Sequence, residues 1–332
     1  MADGVSTGST TGDGSTTGDG STTGDGLTTR ESVAVVVVTY NRADLLAHML
    51  DGLAAQTRPA DAIFVIDNAS SDHTRAVLTE QVAAARPGLP LLVTHAEENL
   101  GGAGGFHLGV RMAFAAGHDR IWLMDDDVVP APDCLEVLLA QDEACLMAVR
   151  QDTHGRLVEK AALRFDLRNP LSVRPKTAMV ETEYGSRNRM PPRVELQNVA
   201  FEGFMLRREV VEAIGLPDPS YFIFYDDVDY AVRARRAGFR IWAVRDAVLV
   251  RQLAFDQQHD LAGWKGYFMY RNLFVVHLRY GENVLVRLKP WLVTAAVVLL
   301  SPVRGGRPEA RNVIRAMRDA RGMRSAPPRS VD

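Results

Sequence analysis

The chain has 332 residues, 46% of them hydrophobic and 24% charged, with a formal charge of -3. Those are globular proportions, suited to one large domain or two smaller ones, and a charge so near neutral excludes a nucleic-acid binder. The two cysteines, Cys134 and Cys145, exclude a disulfide framework and read as ordinary apolar residues of a reducing compartment.

No basic segment followed by an apolar one opens the chain, so no secretory signal is expected. Residues 1–31 repeat Ser-Thr-Thr-Gly-Asp-Gly from Ser9, Ser15 and Ser21. With almost no apolar content they cannot offset their ordering entropy, and a disordered tail without chemistry is expected. Order begins at Ser32. Val33 to Val38 is a β-branched run of the kind that is covered on both faces. It ends in Thr39-Tyr40-Asn41-Arg42, and Leu45, Leu46, Met49, Leu50 and Leu53 then repeat with helical spacing. A second strand, Ala62 to Ile66, runs into Asp67–Asp72 and a helix through Ala85. A third, Leu91 to Thr94, leads to Asn99-Leu100-Gly101-Gly102-Ala103-Gly104-Gly105-Phe106. The fourth, from Arg120, ends in Asp125-Asp126-Asp127. Strands alternating with helices imply right-handed crossovers, a largely parallel sheet and an α/β fold.

Four polar clusters therefore follow four strands on one edge of the sheet, where open α/β folds bind ligands. Three adjacent carboxylates repel, and Mg²⁺ or Mn²⁺ would relieve that repulsion through hard oxygen ligands. The plain alternative is a solvated acidic turn capping the next helix. The glycine-rich stretch is neither G-x-G-x-x-G nor a P-loop. It implies close backbone approach and a helix N-terminus near Gly105 facing phosphate or sugar oxygens, or else a flexible linker.

Short strands and a mobile loop are expected over 151–194. A strand follows over Asn198–Leu206 with Gly203 at a close approach, then a helix from Arg208 closed by Gly215. Asp226, Asp227 and Asp229 open a helix that ends at Gly238. For Asp229 the helix dipole is explanation enough. Asp226 and Asp227 follow an aromatic run, where burial would raise a carboxyl towards a useful base. The last strand is expected over Arg240–Val244. Beyond an aromatic helix from Gly263, Pro290 to Leu300 is apolar but too short to span a bilayer, interrupted upstream by Arg287, Lys289 and Pro290. Arg304, Arg307, Arg311, Arg315, Arg318, Arg321 and Arg324 follow at intervals of three or four. That pattern suggests peripheral contact with an anionic membrane, or an internal helix with a solvated tail.

Val38–Arg42, Ile66-Asp67-Asn68, Asn99–Gly102, Met124–Asp127 and Tyr225–Asp229 come in the order found in inverting family 2 glycosyltransferases of the GT-A fold, which the chain resembles from about Val33 to Gly281. NLGGAGGF at Asn99–Phe106 and the later Tyr270-Arg271-Asn272 are similar to actinobacterial galactofuranosyltransferases of cell-wall galactan and their rhamnosyltransferase relatives. The resemblance implies a GT-A domain over 32–260 and a helical region over 261–332, on the cytoplasmic side of the plasma membrane. It implies that Thr39, Tyr40, Arg42 and Asp67 hold the base and ribose of a UDP-sugar. Asn99, Gly101, Gly102 and Ala103 would line the sugar and diphosphate beside Asp125 and Asp126. Asp125 and Asp127 match the metal-binding acids, with Asp127 the direct ligand of Mg²⁺ or Mn²⁺. Asp227 matches the catalytic base, with Asp226 beside it. Relatives often carry a metal-binding His around Val248–Arg251, where this chain has Val250; His259 is the next candidate. The acceptor would be a glycan or a lipid-linked hydroxyl. A dTDP-rhamnose donor, a nucleotidyltransferase, a nicotinamide dehydrogenase and a non-catalytic sugar-nucleotide-binding protein are the alternatives.

Overall fold

The computed structural model describes residues 30–172, 174–253, 261–303 and 306–325. The tail reading (apart from its last two residues), His259 and the boundary at 260 lie outside them. Three βα units and a fourth strand come first: β1 (Val33–Thr39), α1 (Ala43–Ala54), β2 (Ala62–Asp67), α2 (Thr74–Ala84), β3 (Leu91–His95), α3 (Gly101–Ala115) and β4 (Arg120–Asp125). The Asp126-Asp127 turn leads to β5 (Val128–Pro130) and α4 (Cys134–Leu139), then β6 (Cys145–Asp152). The charged middle forms a two-stranded sheet of β7 (Ala162–Phe165) and β8 (Lys176–Met179), followed by α5 (Val180–Tyr184) and β9 (Arg193–Leu196). β10 (Phe204–Arg207), α6 (Arg208–Ile214), α7 (Asp226–Arg236) and β11 (Ile241–Arg251) complete the sheet, and α8 (Trp264–Tyr280), α9 (Val284–Leu300) and α10 (Gly306–Gly322) end the described chain.

Among the described residues the main sheet has nine strands in the order β3-β2-β1-β4-β10-β6-β11-β5, with β9 beside β11. β1 pairs in parallel with β2 and β4, whereas β10 is antiparallel to both β4 and β6. All seven residues of β1 are buried, and alternate ones feed opposite layers. Val33, Val35 and Val37 meet Leu46, Met49, Leu50 and Leu53 of α1. Ala34, Val36 and Val38 meet Phe106 and Val110 of α3. A strand buried on both faces needs no polar alternation, which is why the run is β-branched throughout.

Several boundaries differ from expectation. The strand around Gly203 starts only at Phe204, because Gly203 (φ 104°) turns the backbone out of register. A Cβ there would lie 2.5 Å from Leu249 Cδ1, the close approach expected. β11 runs on to Arg251 instead of stopping at Val244, past an irregularity between Val244 and Val248, because β5 pairs with its second half. α3 begins at Gly101 and not near Gly105, so the glycines are helix rather than loop. α9 begins at Val284, where the Asn283 side chain accepts the Val286 N–H at 3.0 Å, and Pro290 lies inside it. With the 3₁₀ turn that follows it reaches Val303, long enough to cross a membrane by length and composition. It is therefore not too short, and its placement rests on its anchoring.

Candidate active site

The antiparallel insertion of β10 decides what meets at the sheet edge. β1, β2, β4, β6 and β11 all point their carboxyl ends one way, and β10, running against them, brings its amino end there. The edge thus collects Thr39, Asp67, the Asp125–Asp127 turn, Arg150, Arg251 and, just before β10, Glu202. Glu202 was invisible in the sequence, and only the Gly203 beside it marked the spot.

Thr39 Oγ1 donates to Asp126 Oδ2 at 2.8 Å and Arg42 donates to Asp126 Oδ1 at 2.9 Å. Burial raises the Asp126 carboxyl, and Arg42 and Thr39 oppose that rise. Asp125, half-buried at the strand end, is pushed well above the usual carboxylate range by burial, then by Glu202, Asp127 and Asp126. Asp127 is raised by burial and Glu202, against Arg251, Arg42 and Arg150. Its Oδ2 lies 3.5 Å from the guanidinium groups of both Arg42 and Arg251. Its Oδ1 is buried with no hydrogen-bond partner among the described residues. A buried carboxylate oxygen left without a partner, beside Asp125, Asp126 and Glu202, fits a hard cation, although Arg42 and Arg251 already offset part of that charge. No group of three or more His, Cys, Asp or Glu side chains converges as a metal cage among the described residues. Where a histidine was looked for, β11 supplies Arg251, and Gln252 N–H donates to the Asp127 carbonyl at 2.8 Å.

Asp226 and Asp227 open α7 behind Tyr225, which has φ 68°. Burial and the neighbouring Asp227 charge raise Asp226 to about 8. Asp227 is also raised by burial, but Lys176 of β8 and the Val228 N–H, at 2.7 Å, hold it down. Two adjacent buried carboxylates do not both ionise readily, so Asp227 is the one poised to carry charge. Asp229 belongs elsewhere: fully buried, it accepts from Tyr221, Arg233, Arg279 and Tyr280 and anchors the helix internally.

Arg150 and Glu202 link the clusters. Arg150 grips Glu159 through Nε and a terminal nitrogen and reaches Glu202 Oε2 at 2.5 Å. Charge on Glu202 and on Arg150 acts on Asp127 and on Asp227 alike. The two acid groups accordingly share one electrostatic neighbourhood. Arg150, Lys176 and Arg251 were, like Glu202, not singled out from sequence; each sits in a strand whose pattern carries no site signal.

Of the expected donor-site residues, Tyr40, Arg42 and Asn99 are exposed, and Gly102 faces open space. Others do not face solvent. Thr39 is buried and engaged with Asp126. Asp67 is fully buried, its oxygens taken by the Ser70 N–H at 3.0 Å and His95 Nδ1 at 2.7 Å. Ala103 lies in the apolar contact between α3 and α8, with its N–H on the Phe222 carbonyl at 3.1 Å. Gly101 is buried too, and a Cβ on it would fall 2.0 Å from that carbonyl oxygen.

Residues 30–268 match the family model described as Glycosyltransferase like family 2. Galactofuranosyltransferase GlfT1 of Mycobacterium tuberculosis (strain CDC 1551 / Oshkosh) is 35% identical over 257 residues, 73% of this chain and 81% of that protein. GlfT1 of Mycolicibacterium smegmatis is 32% identical over 256 residues, 73% and 82% of the two chains. Mannosyltransferase PcManGT from Pyrobaculum calidifontis, solved with GDP-Man and Mn²⁺, superposes with a TM-score of 0.52 at 20% identity, covering 90% of this chain and 85% of that one. The last shows the fold, a mixed sheet flanked by helices of GT-A type. The family model matched over residues 30–268 and the relatives at 32% and 35% identity, carried on that fold, show that this chain belongs to glycosyltransferase family 2 as an enzyme of sugar transfer.

Proposed function

We propose that the protein is an inverting, metal-dependent galactofuranosyltransferase that uses UDP-galactofuranose and acts on a glycan or polyprenyl-linked hydroxyl in cell-wall synthesis. The observation that carries the reading is the run of ion pairs from Asp127 through Arg251 (3.5 Å) and Glu202 (3.6 Å) to Arg150 (2.5 Å), whose last two charges also act on Asp227, remote in sequence. The named relatives at 32% and 35% identity support the donor. Tyr40, Arg42 and Asn99 meet the nucleotide and Gly102 lets the sugar approach the backbone, while Thr39 and Asp67 shape the loops beneath. Asp127, with Asp125 beside it, would hold Mg²⁺ or Mn²⁺, with water and donor phosphates completing the shell. When bound, the cation offsets charge growing on the departing diphosphate, worth several kcal/mol.

Asp227 takes the proton of the acceptor hydroxyl. The freed oxygen pair bonds to the anomeric carbon as the bond from that carbon to the diphosphate oxygen breaks on the opposite face, and UDP leaves with inversion. General-base help of this kind contributes about 10²- to 10⁴-fold. Purified protein offered UDP-galactofuranose or dTDP-rhamnose with a polyprenyl-linked acceptor should yield galactofuranosyl product by mass spectrometry. Asp227→Ala should lower turnover by at least about 10²-fold with UDP affinity nearly intact. Rhamnosyl product, or normal turnover by the variant, would overturn the donor or the base respectively.

A lipid-linked acceptor agrees with the C-terminal helices, and we place the enzyme on the cytoplasmic face of an anionic membrane. α9 turns Leu285, Leu288, Trp291, Leu292 and Leu299 outward, and α10 exposes Arg311, Arg315, Arg318 and Arg321 while burying Val313, Ala316, Met317 and Ala320. Lys289 donates to the carbonyls of Asn169 and Ser172, both at 2.7 Å, tying the first half of α9 to the body of the protein. A helix so tied lies on a bilayer; crossing it would strip those contacts and immerse Arg287 and Lys289.

A further inference from the structure

The segment that delivers Asp226 and Asp227 is built from conformations that L side chains rarely adopt. Phe222, Phe224 and Tyr225 have φ of 62°, 67° and 68°, and none of them is the glycine or asparagine that tolerates this region. α7 also has no side-chain hydrogen bond from its N-cap residue Tyr225, so nothing in the cap itself holds the turn in place. Backbone of this kind persists only where its surroundings over-determine it, and such strain gathers at functional sites.

The surroundings here are two adjacent side chains of α8. Asn272, fully buried, directs Nδ2 at the carbonyls of Tyr221 (3.0 Å), Ile223 (2.7 Å) and Phe224 (2.8 Å). Arg271 donates from one terminal nitrogen to the carbonyls of Ser220 and Tyr221, both at 2.8 Å. Its Nε donates to Asn272 Oδ1 at 2.8 Å, which fixes the way the amide faces. The guanidinium lies 4.8 Å from the Phe268 ring centre, and that ring stacks on Phe222 at 5.0 Å. On the opposite side the Phe222 carbonyl takes the Ala103 N–H at the start of α3.

We infer that Arg271 and Asn272 are positioning residues for the transfer reaction: they clamp the carbonyls of Ser220, Tyr221, Ile223 and Phe224 so that the left-handed turn aims Asp226 and Asp227 at the cleft. The same clamped turn abuts the start of α3, so it sets the distance between the base and the donor side of the site. This rests on Asp227 being the base, and it assigns the C-terminal helix α8 a share in the active-site geometry.

The test is steady-state kinetics on full-length Asn272→Ala and Arg271→Lys, with UDP affinity by calorimetry and kcat followed against pH. A misaimed base should lower kcat about 10²-fold while UDP Kd and donor KM change less than about threefold, and the acid limb of the kcat profile should move. A folded Asn272→Ala with native kcat and native profile overturns the inference, as does a parallel loss of kcat and UDP affinity. If Asn272→Ala does not fold, Arg271→Lys, which keeps the charge and loses the planar fork, decides by the same readings. Full turnover by Asp227→Ala would sink the base reading itself. An inactive Asp227→Ala beside an unimpaired Asn272→Ala would sink only the clamp.

Discussion

Burial raises the Asp226 carboxyl from 3.8 to about 8, with Asp227 adding to the effect. A group held neutral in the fold but ionised in the unfolded chain makes the unfolded state the one with fewer bound protons across that window. Stability therefore falls as pH rises from about 4 to about 8. Asp226→Asn should remove that slope. Its gain over the native chain should reach up to about 5 kcal/mol at pH 8, about four pH units at about 1.4 kcal/mol each, and nearly vanish near pH 4, read from urea denaturation at several pH values. An equal gain at both ends would show that the carboxyl is not the source. The acid clusters were legible at this scale because runs of Asp have no ordinary structural use. Glu202 was not, because one glutamate before a glycine resembles any surface turn until β10 lays it beside Asp125.

Among the elements, α3 separates two uses of glycine. A Cβ on Gly109 would fall 2.3 Å from Val36 Cγ1, and one on Gly105 would fall 2.5 Å from Val38 Cγ1. Both therefore let the helix lie flush on β1. Valine is stiff at χ1 and cannot swing aside, so Gly109→Ala should cost about 1 to 3 kcal/mol through overpacking. That exceeds the gain of about 1 kcal/mol expected from helix propensity. At Gly102 nothing lies within 4 Å, and Gly102→Ala should be neutral or stabilising by up to about 1 kcal/mol. Thermal melts of the two variants should move in opposite directions or, at the least, differ by that sum. The glycine-rich stretch NLGGAGGF announced close approach, but not that most of it is approach to the protein's own strands and to Phe222.

For the whole molecule, the decisive surface is the outward side of α9 with the arginine row of α10. Full-length protein should sediment with vesicles of mixed phosphatidylglycerol and phosphatidylcholine at low salt. It should be released as ionic strength shortens the Debye length to about 3 Å near 1 M. Leu292→Ser with Leu299→Ser should weaken vesicle binding about tenfold or more, since each removes an exposed side chain whose burial in the bilayer would be worth about 1.5 to 3 kcal/mol, with transfer to a soluble acceptor unchanged. Equal binding to phosphatidylcholine alone would deny the arginines a role, and no binding to either vesicle would refute the docking face.

What the amino-acid order determined was local. Continuous β-branched runs placed the strands and period-3.6 apolar patterns the helices, because burial of both faces or of one dictates which residues recur. The acid runs marked themselves by their mutual repulsion. Only the tertiary structure decided which residues stand together. The antiparallel run of β10 carried Glu202 beside the Asp125–Asp127 turn, β5 prolonged β11 until Arg251 reached Asp127, and the fold of α8 back onto residues 220–224 brought Arg271 and Asn272 against the turn that opens α7. Those contacts join segments far apart in the chain. Their geometry follows from strand pairing and packing, which no short window of sequence contains.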